Sequence, residues 1–249
     1  GEKVILIEDN FETNTGWTTA ISGATSGYWQ RGVPVDDDGW DYDPAADGDG
    51  SGQCWLTHNT AGNTDVDDGA VFLFSPIFDM SEGSNISYFY YLYLTNTDGA
   101  VDYLRVDIDD GSGNWITIAN HTEDGGTNWQ HHTIMQDEIE TAGVVLGSTM
   151  QIRFTAADMN PQSIVEAGVD GLEITYDQCG FSFICGDANG DTDVNLLDIT
   201  HLINYLYNDG PPPTAMQAAD VNNDGAVNLL DITYLINYLY NEVPDPNCP

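Results

Sequence analysis

One pattern occurs twice near the C-terminus, and it limits what the chain can fold into more than any other stretch. The first copy reads Asp187-Ala-Asn189-Gly-Asp191-Thr-Asp193-Val-Asn195-Leu-Leu-Asp198. The second reads Asp220-Val-Asn222-Asn-Asp224-Gly-Ala226-Val-Asn228-Leu-Leu-Asp231. The carboxylates and amides at loop positions 1, 3, 5, 9 and 12 are hard oxygen donors, the ligands that calcium requires. Position 7, Asp193 or Ala226, would add a backbone carbonyl. Apolar residues spaced three and four apart follow each loop: Ile199, Ile203 and Leu206, then Ile232, Ile236 and Leu239. That spacing predicts an amphipathic helix. Each copy is therefore a candidate calcium loop opening a helix, and the pair predicts two bound ions.

The pair resembles the type I dockerin module, over residues 186 to about 243. The resemblance implies a non-catalytic docking module with two EF-hand-like loops, folded around two calcium ions and bound to a cohesin-like domain. It assigns calcium to Asp187, Asn189, Asp191, Asn195 and Asp198, and to Asp220, Asn222, Asp224, Asn228 and Asp231. Position 12 is Asp, as in dockerins, where an EF-hand has Glu. Position 6 of the first loop is Thr192, where a left-handed Gly is expected. Such strain costs on the order of 1–3 kcal/mol, so the first loop ranks as the weaker site. Positions 10 and 11, which carry partner selectivity in cellulosomal dockerins, are Leu-Leu in both copies. Leu196, Leu197, Leu229 and Leu230 are thus the candidate partner-binding residues. Their identity points away from a cellulosomal cohesin, and leaves another cohesin-like domain or a neighbouring copy of the chain.

Charge narrows the partners further. Against 41 Asp and Glu stand only 4 Lys and Arg, for a net charge of −37. Nucleic acid and anionic membranes would be repelled. Such a chain repels itself unless cations bind it, and its Asp residues gather in Gly- and Asn-rich loops. No stretch approaches membrane-spanning length. The opening Gly1-Glu-Lys-Val reads as the start of a mature chain whose leader has been removed. Four cysteines without a CxxC suit disulfides in a secreted, extracellular or bacterial cell-surface protein. Their positions predict Cys185–Cys248, bracketing the C-terminal domain, and Cys54–Cys179.

Residues 1–178 read as all-β. The predicted strands are 4–8, 53–58, 70–74, 85–94, 103–109, 115–119, 129–134, 150–155 and 167–176. Asp137–Thr141 is at most a turn. Many strands at this spacing mean a β-sandwich or jelly roll. The wording is similar to the MAM-like jelly-roll domain of secreted bacterial proteins over most of residues 4–176. The carrying stretches are Phe11-Glu12 with Gly16-Trp17, Tyr28–Gly32, Asp49–Thr57, Gly62–Gly69, Leu73–Pro76 and Ser163–Asp170. That resemblance implies an accessory domain without catalysis, often with structural calcium. The expected organisation is a β-domain over 1–178, a short junction packed through apolar residues over 179–185, and a dockerin-like domain over 186–249.

Acidic loops of the β-domain are the other candidate metal sites. Asp47, Asp49, Asp65, Asp67 and Asp68 lie on Gly-rich turns, and Glu166 and Asp170 sit four apart on one strand face. We expect one or more calcium ions here, the simplest arrangement being one ion between the 47–68 loops and the last strand. Asp36–Asp43 is calcium-like in composition, with a solvated loop as the plain alternative. No HExxH, GxSxG or phosphate-cradling glycine loop occurs. The reading is a non-catalytic assembly protein, docked on a cohesin-like partner or on a neighbouring subunit in an extracellular fibre. A carbohydrate-binding module and the accessory region of a secreted hydrolase are the alternatives.

Overall fold

The computed structural model describes residues 2–95, 102–159, 162–178, 183–241 and 244–248. The chain divides into two compact units, Gly1–Gln178 and Cys179–Pro249. The predicted junction 179–185 falls largely outside the described residues, so its packing is not part of this structure.

Two antiparallel sheets build the N-terminal unit. The first orders β3 (Trp29–Gly32), β4 (Cys54–Thr57), β11 (Ile164–Gln178), β6 (Asn85–Thr95) and β9 (Gln130–Ile134), with β1 (Glu2–Asp9) also paired to β11. The second orders β2 (Thr18–Ser22), β5 (Gly69–Phe78), β10 (Met150–Asp158), β7 (Tyr103–Asp109) and β8 (Ile116–His121). The core lies between them because alternate residues point inward. Leu104, Val106 and Ile108 of β7 are fully buried, as are Ile152, Phe154 and Ala156 of β10. Val165, Ala167 and Val169 of β11 and Ile86, Tyr88 and Leu92 of β6 meet them in the same core.

The predicted strands are present, most of them longer by a residue or more. Two were not predicted. β2 is exposed along its whole length and so lacks the apolar alternation that marks a strand. β3 is only four residues long. The turn expected at Asp137–Thr141 is instead a short helix, α1 (Gln136–Thr141). Glu138 closes its N-terminus by accepting from the Met135 backbone N–H at 2.8 Å, and Ile139 plugs into the core.

β11 is the long central strand. On one side β6 pairs with most of it; on the other, β4 pairs with it at Gly168 and Val169, and β1 with its second half. Its pairing with β6 slips between Asp170 and Glu173, at Gly171, whose φ is 52°. A bulge of this kind re-aims the side chains beside it. The outer face of β6 and β11 is not open to water. Tyr91 is fully buried there, donating to the Tyr42 carbonyl at 2.7 Å and packing on Trp129.

The second unit contains α2 (Leu196–Tyr207), α3 (Met216–Ala219) and α4 (Leu229–Asn241). Its core is small and repeats: Ile199 and Leu202 of α2 are matched by Ile232 and Leu235 of α4, with Ala188, Ala219 and Val221. Cys185 and Cys248 form a disulfide across a sequence separation of 63, with 5.7 Å between their Cα atoms. Closing a loop that long contributes about 4 kcal/mol in the chain-entropy picture. The other expected bond, Cys54–Cys179, involves a residue outside the described ones. Cys54 is a free thiol sealed at the head of β4, and burial pushes its pKa up. Cys179 itself lies outside the described residues.

Candidate metal and docking sites

Each repeated loop is wound around the first and last of its acidic residues. Asp187 accepts from the backbone N–H of Gly190, Asp191 and Thr192 at 2.8–3.1 Å. Asp220 accepts from Asp224 and Gly225 at 3.1 and 2.9 Å. At the far end Asp198 is completely buried, accepting from Asn189 and Asn195, and Asp231 accepts from Val221 and Asn228 in the same way. Burial raises the pKa of both these carboxyls, and the backbone donors oppose the rise.

Positions 9 and 12 also do the work of a helix start. Asn195 accepts from the Leu197 N–H at 2.7 Å while Asp198 accepts from the Asn195 N–H at 2.8 Å. Asn228 and Asp231 repeat this at α4. This is a capping box, with Asp in place of the usual Glu. Asn189 and Asp191, and likewise Asn222 and Asp224, bond to each other along the loop. Asp193 and Ala226 are exposed, as residues lending only a carbonyl can be.

The donor set suits calcium. It is all oxygen, and the four loop-end carboxylates Asp187, Asp198, Asp220 and Asp231 are at most 7% exposed. Every Lys and Arg of the chain lies at or before residue 153, so no basic side chain of this unit can neutralise them. Buried carboxylates without a cation carry a large desolvation cost.

Thr192 has a φ of 76°, matching Gly225 at 85° in the other loop. A β-branched residue is strained there. Thr192→Gly is expected to tighten calcium binding at the first loop about 5- to 30-fold, by relieving roughly 1–2 kcal/mol. Titration of the variant by calorimetry checks this. An unchanged first-loop affinity would show that the strain is not felt in binding.

The four leucines stand out to solvent. Leu196, Leu197, Leu229 and Leu230 are 55–59% exposed, an unusual position for paired leucines. Ile203 and Tyr207 extend the first patch along α2, and Ile236 and Tyr240 extend the second along α4 in matching positions. The unit therefore shows two near-copies of one apolar face.

In the β-domain the candidate acids fall into three groups. Asp47, Asp49 and Asp170 come together, their oxygens all within 4.8 Å. Asp170 is fully buried just before the β11 bulge. It accepts from the N–H groups of Gly48, Asp49 and Gly171 at 2.7–3.0 Å. Burial pushes its pKa up to about 7, with the Asp49 charge adding to the rise. Glu12 ties down the rest of the loop through Gln53 and Ser51.

Glu166 and Asp65 are elsewhere, in company with Asp43. Glu166 accepts from the Thr57 hydroxyl, and Asp65 from the Tyr42 hydroxyl. Asp67 and Asp68 form the third group. Asp67 accepts from Gln162, and the Asp68 N–H donates to buried Asp158, which shares the Ser163 hydroxyl with Asp102. The ion expected between the 47–68 loops and the last strand has a candidate place in the Asp47, Asp49 and Asp170 group, while Asp65, Asp67, Asp68 and Glu166 lie outside that group. Glu166 and Asp170 do share one face, but four residues of strand span about 13 Å. No one ion reaches both. Between them Trp129 and Leu56 crowd against Gly168, where an added Cβ would lie 2.7 Å from each. Asp43 belongs to the calcium-like 36–43 stretch, whereas Asp102 and Asp158 were not singled out from sequence.

Two histidines also meet in a way the sequence did not show. His121 and His132 rings lie 4.9 Å apart, and Tyr88 bonds His121 at 2.8 Å. Burial lowers the His121 pKa to about 4, so it is a neutral packing group.

No curated protein matches the sequence significantly. Solved structures similar to the chain include the K1 cleaved adhesin domain of Lys-gingipain from Porphyromonas gingivalis W83. It is 14% identical, over 71% of this chain and 99% of that one, with a TM-score of 0.44. The K2 cleaved adhesin domain of Lys-gingipain is 16% identical, over 70% and 100%, with a TM-score of 0.43. A structure of carbohydrate-binding modules from the β-sandwich superfamily is 14% identical, over 66% and 60%, with a TM-score of 0.44. The two loops and the helices behind them fall within a family match of their own: residues 185–240 match the dockerin type I domain.

Proposed function

We propose that the chain is a non-catalytic, extracellular, calcium-dependent docking protein. Residues 186–249 fold around two calcium ions and present Leu196, Leu197, Leu229 and Leu230 to a cohesin-like domain. The β-sandwich, of the MAM-like jelly-roll accessory type, is the body so positioned. One observation carries the reading: two calcium loops within a dockerin match, each opening a helix whose first two residues are exposed leucines. The Cys185–Cys248 bond suits an oxidising exterior. No helix among the described residues is long and apolar enough to cross a membrane.

A neighbouring copy of the chain is the rival occupant of the leucine faces. A face that binds a different surface on the next copy builds an open fibre unless the rotation closes. Sedimentation of the purified chain in millimolar calcium separates the two. A calcium-dependent rise in mass with concentration supports self-assembly. A monomer that binds an added cohesin panel supports docking. A monomer binding no cohesin refutes both.

A carbohydrate ligand is the second reading, because a groove in the sandwich is lined by Trp17, Trp29 and Trp55. These indoles are only 3–5% exposed and offer a sugar ring little face to stack on. Glycan-array binding would revive that reading.

A further inference from the structure

Glu166 is 1% exposed, yet only one of its oxygens is satisfied. Oε1 accepts from the Thr57 hydroxyl at 2.5 Å, while Oε2 is buried without any protein partner. Asp43 repeats the pattern. Its Oδ1 accepts from Thr64 at 3.4 Å, and its Oδ2 is buried and unpartnered. Asp65, 3% exposed, completes the group. Three stretches of chain converge here. The Val66 N–H donates to the Val165 carbonyl at 2.9 Å, fixing residues 65–66 beside Glu166. Tyr91 holds the Tyr42 carbonyl, and the Tyr42 ring lies 6.1 Å from Tyr93, the strand neighbour of Glu166.

No positive side chain answers these charges. Among the described residues the salt bridges involve only Glu173 and Asp107 as acids. Burial raises the pKa of Glu166, and the charges of Asp43 and Asp65 raise it further. A buried carboxylate in this position needs either a proton or a metal ion. A proton is the poorer answer. A protonated Oε2 would itself be a buried donor needing an acceptor, and Oε2 has no hydrogen-bond partner in the protein. A cation bound between them would satisfy both orphaned oxygens at once.

We propose that Asp43, Asp65 and Glu166 form a divalent-cation site, suited to calcium, that fastens the 42–66 region onto β11. The surrounding polar atoms, from Thr57, Tyr42, Asn63 and Thr64, are all oxygens, which suits calcium over zinc. The carboxylates are set wider than those of Asp47, Asp49 and Asp170. Oxygen ligands on opposite sides of a calcium ion stand about 5 Å apart, so the group must close around the ion to hold it. This site is independent of the docking reading and separate from the Asp47 group.

Native mass spectrometry of the full chain, titrated with calcium after chelation, tests it. Glu166→Gln keeps the shape and removes the charge; Asp43→Asn does the same on the loop. Each variant is expected to retain one calcium ion fewer than the parent chain. In the parent, amide exchange over 40–46 and 62–66 is expected to slow on adding calcium. Equal ion counts in the parent and both variants would overturn the site. So would a Glu166→Gln protein that is more heat-stable in chelator and in calcium alike, since glutamine would then be replacing a protonated acid. If Glu166→Gln fails to fold, the Asp43→Asn count decides alone.

Discussion

Chelating calcium will melt α2 and α4 while leaving the β-sandwich folded. The two helices have 12 and 13 residues, the length at which an isolated helix is marginal in water. Their N-termini are capped by Asn195 with Asp198 and by Asn228 with Asp231, residues of the same loops that would hold the ions. Without the ion, like charges crowd each loop and the caps loosen with it. The seven-residue buried cluster of this unit is too small to hold the fold against that. Circular dichroism should lose most of its helical signal in chelator, and amide exchange over 187–241 should become fast. Exchange in β6, β7, β10 and β11 should stay slow. Helical signal that survives chelation would mean that calcium is not what folds this unit.

Substituting the leucines in pairs should have far more than twice the effect of substituting one. Leu197→Asp alone leaves the α4 patch intact, and Leu230→Asp alone leaves the α2 patch. The patches are near-copies, so a partner that uses one face at a time simply turns over. Each single change is then expected to weaken partner binding about 2-fold, the loss of one of two equivalent orientations. With both changed, every orientation places a carboxylate against an apolar surface. Losing a buried leucine costs about 1.5–3 kcal/mol, and burying the charge costs more. Binding should fall at least ~100-fold. Surface plasmon resonance with a cohesin that binds the parent chain measures all three variants. A 100-fold loss from one single variant would show that only one face is used. An unchanged double variant would place the docking surface elsewhere.

What could be read from the sequence follows the range of the interactions involved. The repeated acidic loops were legible because every candidate ligand lies within one local stretch and the stretch is duplicated. Thr192 was read correctly as a left-handed position because loop spacing alone fixes it. The sandwich was legible where one face of a strand is buried, as at Leu104, Val106 and Ile108. It was illegible at β2, whose residues all face water. The β-domain acids defeat local reading for the opposite reason. Asp49 meets Asp170 across 121 residues, and Glu166 meets Thr57 across 109. Which acids share a site depends on strand register and on how the 40–50 loop lies over the sheet, neither of which composition encodes. Hence the acids were expected to act together where they form separate groups. The 36–43 stretch was left open between a calcium loop and a solvated one because a turn rich in Asp and Gly looks the same whether its carboxylates are solvated or buried.

The pairing of β1 with β11 also sets how the sandwich answers tension. Glu2 lies opposite Gln178, so the strand that opens the unit and the strand that leads out of it run antiparallel with these ends side by side. A pull between residue 2 and residue 178 acts on the two strands from that shared end. The hydrogen bonds of the pair are then strained one after another, as in a zipper, and never all together as in shear. β1 should peel away at low force, giving several residues of slack before the sheets themselves feel the pull. Optical tweezers attached at those two positions would register this as an early, small extension. A first rupture at high force, releasing the whole sandwich, would contradict it. A body pulled at both of these ends would thus have a compliant strand in series with a stiff sandwich.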